Sequence, residues 1–148
     1  MRITVKAFGH GSAIPRRHTC DGEDVSPEIV IDDVPSGAKS LALIMDDPDA
    51  PMGLFTHWIA FNIPANSKVI REGAGNDGSL EQGVNDFGRS GYGGPCPPPG
   101  KPHRYYFTLY ALSADRIDAS GGRAVIDRAL KGITIEKASY MGTYGRAR

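Results

Sequence analysis

The sequence lacks an excess of charge of either sign: 17 Lys and Arg stand against 17 Asp and Glu over 148 residues. A general nucleic-acid binder needs clustered surplus cations to displace counterions, so this balance argues against one. No polybasic run offers an anchor to an anionic membrane either. Long apolar runs are also missing. None approaches the ~20 residues that a membrane-spanning helix needs, so integral membrane contact is not expected. The first eight residues alternate apolar and polar, as an edge strand does and the apolar core of a signal peptide does not. A cytoplasmic protein is the expectation. Cysteine is scarce. Cys20 and Cys96 are too few for a disulfide framework and read as two free thiols. A single loop-to-loop disulfide, of the kind tolerated in a thermophile's cytosol, is the alternative.

Catalytic signatures are absent too. There is no Gly-x-Ser-x-Gly elbow and no His-Glu-x-x-His pair. Asp86-Phe87-Gly88 matches the magnesium-binding tripeptide of protein kinases, but the chain is too short and the other kinase motifs do not precede it. The run from Gly88 to Gly94 is no dinucleotide fingerprint, because no strand–turn–helix surrounds it.

What is present is dense punctuation, with 19 Gly and 11 Pro, set between short apolar segments. Residues 25–33 read as a loop entering a short strand, and Val34-Pro35-Ser36-Gly37 as a turn. Residues 39–45 form a nearly continuous apolar run, the mark of a strand buried on both faces. Residues 56–63 read as the next strand, stopped by Pro64, and 104–112 as a third, rich in aromatic and β-branched side chains. One helix is predicted over 120–131, capped by Ser120, striped by Val125, Ile126, Ala129 and Leu130, and ended by Gly132. Residues 133–144 alternate again as a last strand. Several strands with one late helix give a mainly β, antiparallel fold in a single domain over 1–148. Between Gly73 and Gly100 lie nine of the glycines and four prolines, and so long a loop in a compact domain is usually functional.

Three clusters could carry chemistry. Asp47-Pro48-Asp49-Ala50-Pro51 follows the buried strand, and its prolines hold two carboxylates in a fixed turn. His57 shares a strand face with Ile59 and Phe61 by alternation. A histidine so placed needs a partner, and the aspartates are the expected one, favouring the imidazolium. His103 and Tyr105 lie with Phe107 and Leu109 on one face of their strand. The approach to them, from Gly93-Gly94-Pro95 through Pro102, could expose peptide N–H groups to an anion. On residue types alone a His/Asp metal site, an acid–base or hydrolytic site and an anion pocket all remain open.

Taken in order along the chain, Asp47-Pro48-Asp49-Ala50-Pro51, His57 to Asn62, Gly94-Pro95 and His103-Arg104-Tyr105 resemble the signature of the phosphatidylethanolamine-binding protein family. They look most like its bacterial and archaeal Raf-kinase-inhibitor-like branch. Thr19-Cys20-Asp21-Gly22, Val25-Ser26-Pro27 and Gly142-Thr143-Tyr144-Gly145-Arg146 fit the same branch. The resemblance implies a central antiparallel sheet packed on a smaller one, with an anion pocket at one end. Its ligand-binding residues would be Asp47, Asp49, Pro51 (after a cis peptide in many relatives), His57, Gly94, Pro95, His103 and Tyr105. It implies a binding module without a cofactor rather than an enzyme. The ligand would be a phosphate-like group or phospholipid headgroup, and some relatives inhibit a kinase or serine protease by surface contact. A small hydrolase using His103 and Asp47, with Ser90 or Cys96 as nucleophile, is the rival. Exposed strand edges would allow a homodimer. Two departures stand out. Gly100-Lys101-Pro102-His103 is one residue longer than the family's spacing, and no helix pattern follows the last strand up to Arg148. A more open pocket is the expectation.

Overall fold

The computed structural model describes residues 1–147. Arg148, where the predicted domain ends, lies outside the described residues. The strands, all antiparallel to their neighbours, make two sheets. The smaller contains β1 (Arg2–Val5), β2 (Ile29–Asp32) and β5 (Val69–Ile70), in the order β1-β2-β5. The larger contains β3 (Ser40–Asp47), β4 (Phe55–Pro64), β6 (Glu81–Gln82), β7 (His103–Leu112) and β8 (Thr134–Tyr144), in the order β6-β4-β3-β7-β8. The mainly β architecture with one short helix is the one predicted.

The position of β3 at the sheet's centre explains its apolar run. Leu41, Leu43 and Met45 face the smaller sheet, whereas Ala42 and Ile44 face the helix α1 (Arg123–Leu130). Both faces are dry, so no polar residue could alternate in. On α1, Ile126 and Leu130 are buried and Val125 and Ala129 pack beside them, as the stripe predicts. The helix starts three residues later than its apparent cap. Ser120 bonds Asp118 instead, and Gly121 O accepts from Val84 N at 2.9 Å, which keeps the backbone extended until Gly122. Gly132, at φ +77°, turns the chain away at the other end.

One irregularity matters for the site. Met45 pairs with Trp58 and Asp46 with Thr56, which leaves His57 as an extra residue on β4. Such a bulge re-aims a side chain. Ile59 and Phe61 therefore pack toward α1, but His57 turns to the opposite face, beside Tyr105. The strict alternation expected from the sequence fails at this residue.

Candidate ligand pocket

The pocket grows from the ends of β3 and β7 and the bulge of β4. Asp47, the last residue of β3, is buried, and both its oxygens accept hydrogen bonds. Oδ1 takes the backbone N–H of Asp49 at 2.7 Å, and Oδ2 takes Nδ1–H of His103 at 2.7 Å. The imidazole is thereby fixed as a donor at Nδ1, which leaves Nε2 free for a ligand.

Asp49 does something else. It clamps Arg104, accepting from the Arg104 backbone N and Nε at 2.9 Å each and from Nη2 at 2.8 Å. Those bonds hold the Asp49 carboxyl down at about 2. It does not orient an imidazole, and it borders an adjacent surface hollow with Lys101, Pro102, His103 and Arg104.

His57 likewise departs from expectation. Its Nδ1 donates to Gly93 O at 2.7 Å, and Gly93 N donates back to His57 O at 3.0 Å. Burial lowers its pKa, outweighing the carbonyl partner and the Asp47 charge. His57 is a neutral ring, and its partner is a carbonyl rather than an aspartate.

Tyr105 lies between the two histidines, with ring centroids 5.3 Å from His57 and 6.5 Å from His103. The imidazoles, 46 residues apart in sequence by their numbering, are thus neighbours. Burial first, and the Asp47 charge second, push the Tyr105 phenol well above its ordinary range, so it remains an O–H donor. That hydroxyl is fully buried and is the one buried side-chain polar atom among the described residues without a hydrogen-bond partner. Asp47 is near enough to shift it but accepts no well-formed bond from it.

These groups floor a cavity of about 150 Å³ whose walls are Ala50, Pro51, Phe55, Phe87, Cys96, Pro97 and Pro98. Pro51 lines the wall. It follows a trans peptide, since no described bond is cis. The reversal is made instead by Gly53, at φ +102°, whose N–H bonds Ala50 O at 3.0 Å. Gly94 and Pro95 do not line the cavity. Gly94 donates its N–H to Asp24 Oδ1 at 2.8 Å, and Pro95 O accepts from Cys20 N at 3.1 Å, so both are turned to the structure behind the wall.

Cys20 and Cys96 are not free thiols but a disulfide, their Cα atoms 5.4 Å apart. They are 76 residues apart in sequence, a distance that hid the pairing. With Cys96 bonded and Ser90 outside the lining, neither nucleophile proposed for a hydrolase is available in the pocket. Among the described residues, no three His, Cys, Asp or Glu side chains are grouped to hold a metal ion.

The sequence reading missed the aromatic part of the wall. Phe55 and Phe87 carry no polar signature, and Phe87 sits in the tripeptide set aside as a chance kinase match.

Two layered sheets with a polar-floored, proline-walled cavity at the strand ends define a small ligand-binding module. The chain belongs to the phosphatidylethanolamine-binding protein family, whose model matches residues 4–145. It is 45% identical over 152 aligned positions to the UPF0098 protein of Aquifex aeolicus, covering 99% of this chain and 89% of that one. A crystal structure of a phosphatidylethanolamine-binding protein homolog from Chlamydia trachomatis superposes with a TM-score of 0.89 at 39% identity, covering 98% and 97% of the two chains. E. coli YBCL, described as a member of the mammalian family, superposes at 0.91 with 33% identity and 97% coverage of each. No helix among the described residues is long and apolar enough to cross a membrane.

Proposed function

We propose that the pocket binds a small anionic group of the phosphate class, without chemical conversion. The observation that carries this reading is the orphaned Tyr105 hydroxyl. A buried donor left unmade costs about 1–3 kcal/mol, and a ligand oxygen above the cavity floor removes that penalty. His103 supplies the second contact through Nε2, while Asp47 holds the ring from behind through its bond to Nδ1. His57 contributes shape and a neutral ring rather than charge. With Asp49 occupied by Arg104, the only carboxylate in the lining is Asp47, which is turned toward His103.

Sulfate is the cleanest probe, and calorimetric titration is expected to show binding weakened by at least about tenfold in His103→Ala, the worth of one hydrogen bond to a charged group. Equal affinity in the wild type and the variant would contradict the reading. Inhibition of a kinase or serine protease, which the resemblance implies for some relatives, would use the exposed rim of Met52, Leu54 and Phe87. Enzyme assays with the Met52→Ser, Leu54→Ser double variant separate that rim from the pocket.

A further inference from the structure

The bond between Cys20 and Cys96 lies at the surface. Both residues are exposed, so a dissolved thiolate can reach their sulfurs. Exposed disulfides are the labile ones, opened by thiolate attack on one of the two sulfurs.

The two sulfurs are unequal. Arg146 Nη1 stands 4.0 Å from Cys96 Sγ and 3.5 Å from Pro97 O, to which it donates. Its Nη2 donates to Asp21 Oδ1 at 3.0 Å, and its backbone O accepts from Gly100 N at 3.0 Å. The guanidinium is therefore fixed against the proline wall at both side chain and backbone. A cation so placed stabilises a thiolate on Cys96. Cys20 is followed instead by the carboxylate of Asp21. The Tyr144 hydroxyl bond, and then the Arg146 charge, hold that carboxyl below its usual range, so it stays ionised. Arg16 also reaches this loop, but its Nη2 donates to Asp21 O at 3.0 Å. Negative charge beside Cys20 and positive charge beside Cys96 make Cys96 the better leaving group, because the thiol of lower pKa leaves faster.

The surroundings also favour return. Cys20 N donates to Pro95 O at 3.1 Å, and Arg146 bridges Asp21 to Pro97 O, so the two sulfurs stay close when their bond is cut.

We propose that Cys20 is a thiol-exchange site, at which a small thiol of the glutathione class forms a mixed disulfide while Cys96 departs as a thiolate against Arg146. The attacking thiolate bonds Cys20 Sγ, the bond from Cys20 to Cys96 breaks, and its electron pair goes to Cys96 Sγ. One S–S bond replaces another, so no further oxidant is needed. Attack by Cys96 on the capped Cys20 expels the small thiol and restores the original bond. Cys96 lines the pocket and Cys20 does not. The cap is thus carried outside the cavity, and the thiolate charge appears in its wall.

The test treats the oxidised full-length protein with reduced glutathione, quenches with N-ethylmaleimide before equilibrium, and maps both cysteines by peptide mass spectrometry. Glutathione on Cys20 with maleimide on Cys96 is expected to exceed the reverse pattern by at least about threefold, the factor for one pKa unit between leaving thiols at a sensitivity near one-half. Arg146→Gln should bring the ratio toward one. Arg146→Lys, which keeps the charge, should retain the bias, with circular dichroism confirming folded variants. In the wild type, about 1 M salt should shrink the bias by screening the exposed cation. Glutathione mainly on Cys96, or equally on both cysteines, overturns the assignment. So does a bond that opens only after unfolding in urea. A bias unchanged both in Arg146→Gln and in high salt overturns the part given to Arg146.

Discussion

A hydroxyl buried without a partner weakens the fold that carries it, and Tyr105 holds such a hydroxyl on the pocket floor. Binding and stability are therefore opposed at this residue. Tyr105→Phe should leave the melting temperature unchanged or raise it, because it deletes an unsatisfied group of the same shape. It should also weaken sulfate binding by about tenfold, the worth of one hydrogen bond to a charged group. A variant that lost stability and kept its affinity would show the hydroxyl to be structural. His57 makes a different prediction. Its folded pKa is lowered by burial, whereas the unfolded chain takes up a proton near about 6.5. Above that pH both states are neutral and the contribution is constant. Below it the unfolded state binds more protons, so stability falls as pH drops from about 6.5 toward the folded value. His57→Asn keeps a donor for Gly93 O without a titrating ring. Denaturant unfolding between pH 7 and 5 should show a shallower decline in that variant, and parallel curves would refute the assignment.

At the scale of elements, the wall behind the pocket depends on closeness of backbone. A side chain on Gly94 would lie 2.3 Å from His18 O and 2.4 Å from Asp24 Oδ1, and it would displace the bond from Gly94 N to Asp24. Gly94→Ala is expected to destabilise by about 3 kcal/mol, the upper range for overpacking, measurable as a lower urea midpoint. A change below about 1 kcal/mol would mean that the loop yields easily. This wall marks where sequence reading stops. The longer elements were legible, because β3 is apolar on both faces, β7 alternates, and α1 carries a stripe at helical spacing, whereas the two-residue strands β5 and β6 are too short to leave a pattern. The floor was legible as well, since an aspartate in a proline-braced turn, two histidines and a tyrosine are conspicuous by type. What each floor residue bonds was not. A bulge shifts His57 off its expected face, and alternation contains no term for an inserted residue. Asp49 turned to Arg104 because the two strand ends meet only in three dimensions. Phe87 reads as any loop phenylalanine until its loop is seen folded over β4.

For the molecule as a whole, the Cys20–Cys96 bond is the longest covalent tie available, spanning 76 residues. It links the segment after the short 3₁₀ turn Arg16–His18, in the connection from β1 to β2, to the proline wall. Closing a loop of that size in the unfolded chain is worth roughly 4 kcal/mol in the chain-entropy picture. Weaker ties run in parallel: Arg146 Nη2 donates to Asp21 Oδ1 at 3.0 Å, the Tyr144 hydroxyl donates to Asp21 Oδ2, and Gly100 N donates to Arg146 O at 3.0 Å. The wall should therefore loosen rather than detach when the bond is cut. The double variant Cys20→Ser, Cys96→Ser should stay folded with a melting temperature lower by about 10 °C, from the loop term and the usual entropy of a domain this size. Sulfate affinity should fall with it, because Pro97 and Pro98 lose their covalent anchor. The bond also bears on location. Such disulfides persist in oxidising compartments or in the cytosol of hyperthermophiles, and an ordinary reducing cytosol would open them. Thiol titration of protein purified under alkylating conditions from its native cells distinguishes these settings. Two alkylated cysteines per chain would place it in a reducing compartment, where the loosened wall is the working form.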